Sequence, residues 1–209
     1  MSKEINSGTA NVKAVLLDLG GVLVRLTGVG RLIELAGGGI DPAELDKRWN
    51  NSRAVQKYES GLCDSAAFAG ELLSELGMDI SPQAFLDEFV LFAKDFYPGT
   101  PELLRALRRK YTVACLSNTN RLQWDGLRER IAIDGYFDRC FLSFEIGKMK
   151  PGPEIYAYAV KELGLEPDGI VYFDDLDANV RAGAEAGLRA YKVSGAEELR
   201  RKLVGMGLI

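Results

Sequence analysis

The 209-residue sequence contains no histidine. That absence removes Ser-His-Asp and Cys-His nucleophile pairs, H-E-x-x-H metal sites and phosphohistidine chemistry. Acid–base or nucleophilic work falls to Asp, Glu, Lys, Ser, Thr, Tyr or Cys. Cysteine is scarce: Cys63, Cys115 and Cys140, with no C-x-x-C pair. Neither a disulfide framework nor a zinc ribbon is expected, and a reducing cytoplasm is the simplest address. No apolar run reaches the about 18–20 residues of a membrane span, and "MSKEINSGTAN" lacks the apolar centre of a signal peptide. Residues 1–11 read as a disordered tail, and no membrane partner is expected. Positive charge is not in excess either. A net charge of −4 with mixed signs argues against a nucleic-acid partner.

What is present suits a globule: 47% of residues are hydrophobic, enough for one sizeable core with or without a small inserted domain. Short apolar runs at 13–18 ("KAVLLD"), 111–117, 139–143, 169–174 and 189–193 read as buried strands. Helical patterns lie between them. One starts with Thr100 as N-cap and Pro101 at the first helical position, and others stop at Gly164 and Gly187. Such alternation predicts an α/β fold, a mostly parallel sheet covered on both faces. Residues 27–97 break the rhythm and offer only helices, beginning at "GRLIELAG", Asp41-Pro42, Asp64 and Ser81-Pro82. They are expected to form an all-helical insert, with residues 12–26 and 98–209 as the core. "AGGGI" (36–40) reads as a flexible turn, not a dinucleotide fingerprint.

Ligands of open parallel sheets bind outside the carboxyl ends of the strands. There the chain carries Asp18, then Ser117-Asn118, then Asp174-Asp175, with Lys148 and Lys150 after the third main strand. Taken singly, each has a bland reading as turn former, helix cap or solvated charge. Their placement at one end of consecutive strands is what that reading leaves unexplained. Three carboxylates crowd together only around a cation, and an all-oxygen set without His or Cys suits Mg²⁺. Carboxylate, hard cation, hydroxyl and lysine make a cradle for a phosphoryl group.

The ordered segments "LLDLGGVLV", "LSNTN", "GKMKPGPEIY" and "VYFDDLDANV" resemble the four motifs of the haloacid dehalogenase superfamily, in the subgroup with a helical cap after the first motif. The resemblance spans about residues 12–193. It implies a Rossmann-like core and a Mg²⁺-dependent phosphatase acting on a small phosphorylated metabolite, with sugar phosphates as a candidate class. Asp18 would be the nucleophile forming an aspartyl-phosphate. Ser117, Asn118 and Gly21 would contact the phosphoryl group, and Lys150 would neutralise charge. Mg²⁺ would sit on Asp18, the Gly20 carbonyl, Asp174 and Asp175. Asn179, at i+4 from Asp175, would orient that site. A monomer or homodimer is expected.

Gly20 departs from the pattern. Family phosphatases usually carry an aspartate there, which protonates the leaving group and then activates water. Glycine keeps the metal-binding carbonyl but loses the acid, worth about 10²–10⁴ in rate. A weak or inactive phosphate-binding protein is therefore one alternative, and a metal-free 2-haloacid dehalogenase another. Cys115-x5-Arg121 formally matches a cysteine phosphatase loop, but Cys115 lies inside a strand. In the insert, Arg53, Lys57 and Tyr58 are candidate substrate contacts.

Overall fold

The computed structural model describes residues 11–35 and 41–209. The expectations for the first ten residues and for "AGGGI" lie outside that range. Among the described residues seven strands form: β1 (Ala14–Leu17), β2 (Val24–Leu26), β3 (Ala93–Phe96), β4 (Thr112–Ser117), β5 (Arg139–Leu142), β6 (Ile170–Asp174) and β7 (Arg189–Lys192). Five make a parallel sheet in the order β5-β4-β1-β6-β7. β1 is central and every residue in it is buried, as both faces of such a sheet are covered by helices. Val15 and Leu17 face one core cluster; Ala14 and Leu16 face the other with Tyr156 and Tyr172.

Among the described residues, five helices lie between β2 and β3: α1 (Gly28–Leu35), α2 (Pro42–Asn51), α3 (Arg53–Glu59), α4 (Ser65–Leu76) and α5 (Pro82–Phe89). Their starts follow the sequence closely. Side chains of Asp41, Asp64 and Ser81 accept from the backbone N–H three residues on, satisfying donors that a first turn leaves free. The insert has its own core, in which Tyr58 stacks on Phe68, and Phe85, Phe89 and Phe92 pack together.

Two expectations need correction. Residues 27–97 are not only helical, because α5 ends at Phe89 and Ala93–Phe96 pairs antiparallel with β2. This ribbon carries the chain into and out of the insert. Thr100 is not an N-cap: Gly99 (φ 81) holds that position, and buried Thr100 directs its hydroxyl to the Leu23 carbonyl.

The remaining helices are α6 (Thr100–Arg108), α7 (Arg121–Ile131), α8 (Ser143–Ile146), α9 (Pro153–Leu163), α10 (Asp177–Glu185) and α11 (Gly195–Gly205). No helix among the described residues is long and apolar enough to cross a membrane.

Candidate active site

Register brings the acidic residues together. Leu17 is level with Cys115 on β4 and Phe173 on β6, so the next residues, Asp18 and Asp174, stand side by side. The Asp18 amide donates to the Phe173 carbonyl at 2.9 Å and anchors that step. Lys150 arrives from the loop after α8. Its Nζ donates to Asp18 Oδ1 and to Asp174 Oδ2, both at 2.7 Å, and its side chain is 2% exposed. Asp175 completes the group, with one oxygen from each of the three carboxylates within 4.8 Å of the others.

The electrostatics follow from this crowding. Burial pushes the Asp18 carboxyl up to about 7, with Asp174 and Asp175 adding to the rise and Lys150 opposing it. Asp174 is also raised by burial, but the lysine and the other donors win and hold it below the usual carboxylate range. Lys150 is pulled down by burial, yet the two carboxylates keep it firmly protonated. Asp175 is raised by burial and by Asp174. One buried cation among three carboxylates leaves negative charge uncompensated. An all-oxygen donor set with that deficit fits Mg²⁺.

The donors are not equivalent. Asp174 Oδ1 accepts from Leu176 N (2.9 Å) and Asn179 Nδ2 (3.0 Å), while its Oδ2 accepts from Lys150 and the Tyr172 hydroxyl. All its strong acceptor positions are filled. Asn179 therefore orients the acidic site through Asp174. Asp175 precedes α10 outside the helix and makes no ion pair among the described residues. Gly21 lies outside the cavity lining. Its φ of 73 is left-handed, and a Cβ there would come 2.2 Å from Asp175 Oδ2. Only glycine lets the loop close against that carboxylate.

Asp18, Ser117, Asn118, Lys150 and Asp175 line a cavity of about 780 Å³ between the sheet edge and the insert. Ser117 is buried. Asn118 spends its side chain elsewhere, since its Nδ2 donates to the Lys150 carbonyl and its Oδ1 accepts from the Lys150 amide. It aims the lysine loop. A second cavity of about 260 Å³ adjoins this one, walled by Leu19, Leu26, Leu32, Trp49 and Phe92.

A model of the haloacid dehalogenase-like hydrolase family matches residues 12–187. The chain belongs to this family. It is similar to a D-ribitol-5-phosphate phosphatase of Bacteroides thetaiotaomicron, 26% identical over 201 residues that cover 92% of this chain and 97% of the relative. A glyceraldehyde 3-phosphate phosphatase of Methanopyrus kandleri is also 26% identical, covering 87% of this chain and 84% of its own. Among solved structures, the HAD family enzyme bt-2542 of Bacteroides thetaiotaomicron, in complex with magnesium and inorganic phosphate, superimposes with a TM-score of 0.73. That match covers 87% of this chain and 93% of the other at 26% identity.

In this hydrolase the cysteine-phosphatase alternative fails on geometry. Cys115 is fully buried in β4, burial drives its thiol well above the ordinary value, and Arg121 stacks on Phe144. The three insert residues proposed as contacts do not face the site. Tyr58 is buried and bonded to Ser65, Lys57 pairs with Glu71, and Arg53 lines neither cavity. Lys148 is exposed. Sequence reasoning missed Tyr172 and Glu59. Tyr172 was legible in principle, because on β6 it shares a face with Asp174 two residues on. On α3, Gln56 and Glu59 line the cavity, with Ser60 at the C-cap, whereas Arg53 and Lys57 line neither cavity.

Proposed function

We propose that this hydrolase is a Mg²⁺-dependent phosphomonoesterase of small phosphorylated metabolites, working through an aspartyl-phosphate on Asp18. The observation that carries the reading is the Asp18–Lys150–Asp174 ion triad with Asp175 beside it, opening through Asp18, Lys150 and Asp175 onto the larger cavity. Asp18 Oδ attacks phosphorus, and Lys150 and Ser117 receive the phosphoryl oxygens. Asp18, Asp175 and the Gly20 carbonyl hold Mg²⁺, which when bound offsets charge on the phosphoryl group. Saturated Asp174 takes a different part, fixing Lys150 and adding its negative charge beside the residues that would hold the ion. Asn118 and Tyr172 position Lys150 and Asp174 in turn. The helices of residues 27–97 act as a cap that excludes water.

The lining also bears on substrate class. Lys150, committed to the phosphoryl group, is the only cation among the described lining residues, and Asn50, Gln56 and Ser60 are neutral. A substrate with one phosphoryl group and otherwise uncharged hydroxyls suits this wall better than one with a second anion. Sugar and polyol phosphates are such molecules, as the names of the two curated relatives allow. A screen of phosphorylated metabolites with Mg²⁺ tests the reading. Turnover of polyol or sugar monophosphates above bisphosphates and phosphocarboxylates is expected. Failure to hydrolyse any phosphomonoester would favour a phosphate-binding role.

A further inference from the structure

Gly20 leaves the site without the usual proton carrier beside the nucleophile, and the described lining offers one candidate to replace it. Glu59 ends α3 and lines both cavities, as Gly20 and Ser117 do. It is half-buried, yet accepts no hydrogen bond and makes no ion pair among the described residues. Three other glutamates of the insert are committed. Glu71 pairs with Lys57, Glu88 with Arg31, and Glu75 accepts from the Ser52 hydroxyl and the Ala54 amide. A carboxyl withdrawn from water without a partner costs stability unless a ligand uses it.

The backbone holds Glu59 in place. Gly61, at φ 71, brings the end of α3 so close to α8 that a Cβ there would meet the Phe144 carbonyl oxygen at 2.2 Å. Burial pushes the Glu59 carboxyl up to about 7, against the pull of Lys150, the one charge acting on it. That value suits a group which must give a proton and take it back near neutrality.

We propose that Glu59 is the general acid–base of this hydrolase, working from the insert in place of the carboxylate absent at Gly20. The proposal rests on the phosphatase reading above. As Asp18 Oδ bonds to phosphorus, the phosphorus–oxygen bond to the leaving group breaks, and the Glu59 proton passes to that oxygen to give the free alcohol. The Glu59 carboxylate then takes a proton from the attacking water. The new oxygen–phosphorus bond forms, phosphate departs, Asp18 leaves as carboxylate and Glu59 is again protonated.

The test compares wild type and Glu59→Gln, with Mg²⁺, on p-nitrophenyl phosphate and on a polyol monophosphate. A nitrophenolate leaving group needs no proton, whereas an alkoxide does. In Glu59→Gln, turnover of the polyol ester should fall by about 10²–10⁴-fold. The aryl ester should still give a rapid burst of nitrophenolate, followed by slow turnover and accumulating phosphoenzyme. Adding Gly20→Asp to Glu59→Gln should restore the polyol ester rate, which a merely structural role for Glu59 would not permit. Glu59→Asp, shorter by one methylene, should lower the polyol-to-aryl rate ratio in the same sense and serves if Glu59→Gln folds poorly. Equal loss of both burst and polyol turnover, or no loss, would overturn the assignment while leaving the phosphatase reading intact. A wild type that hydrolyses neither ester would overturn both.

Discussion

Replacing Lys150 with methionine removes the cation that bridges the buried carboxylates of Asp18 and Asp174, with half-buried Asp175 beside them. The side chain is 2% exposed, and its partners Asp18 and Asp174 are 9% and 0% exposed, so solvent screens the triad little. Breaking a buried pair by deleting one partner costs about 3–5 kcal/mol, since the stranded charge has no hydration to return to. A domain of this size is stable by about 5–15 kcal/mol and loses about 2–4 °C per kcal/mol. The midpoint should therefore drop by about 6–20 °C at pH 8. The deficit should shrink as pH falls towards 5, because the stranded carboxyls escape their charge by protonation. Mg²⁺ should recover more stability in the variant than in the wild type, as the carboxylates keep their need for a cation. Calorimetry of both proteins across pH, with and without Mg²⁺, reads all three effects. A loss of less than about 1 kcal/mol that does not change with pH would refute the picture of Lys150 as buried counter-ion.

Mg²⁺ should raise the wild-type melting point, by about 5–11 °C at a hundredfold excess over its dissociation constant. The rise should grow with pH, because burial pushes the carboxyl of Asp18, which must be ionised to hold the ion, up to about 7 in the metal-free fold, above its unfolded value near 4. The metal-free fold then binds more protons than the unfolded chain between about pH 4 and 7, and loses stability as pH rises through that window. A melting shift that is flat or falls across the window would contradict this. Gly61→Ala forces a Cβ onto the Phe144 carbonyl and costs at least the about 1–2 kcal/mol of a left-handed alanine. It should also slow polyol esters more than aryl esters, by displacing Glu59; equal slowing of the two would separate α3 docking from acid–base function. Gly20→Asp alone should fold, since φ there is not left-handed and the new Cβ meets only the tip of exposed Leu26 at 2.8 Å. With Glu59 intact it should accelerate polyol esters less than about tenfold, whereas a full gain of about 10²–10⁴ would show that no proton donor was present.

The parallel core was legible because each apolar run ends at a residue of different chemistry: Asp18, Ser117 and Asp174 mark where three strands stop. Their meeting point followed from the general geometry of parallel sheets, not from local pattern. The β2–β3 ribbon was hidden because Val24–Leu26 has only three residues and Ala93–Phe96 continues the apolar text of α5. Short runs carry no period long enough to separate strand from helix. Thr100 read as a cap because Thr before Pro is a common helix start, but the left-handed Gly99 one residue earlier took the position. The division of labour between Asp174 and Asp175 depends on Tyr172, Asn179 and Lys150 converging from three elements, which adjacent identical letters do not reveal. Glu59 lies beside Tyr58 in a helix rich in charge, and only the docking of α3 on α8 distinguishes it from a solvated glutamate.

The central claim is that Asp18 carries the phosphoryl group. Mixing enzyme, Mg²⁺ and a radiolabelled phosphomonoester, quenching in acid within the first turnovers and mapping the peptides tests it directly. The label should be acid-stable, lost on brief alkaline treatment, and confined to the peptide containing Asp18. Asp18→Asn, which preserves shape but not the nucleophilic oxygen, should carry no label and show no turnover. Label on another residue, or turnover persisting in Asp18→Asn, would contradict the account.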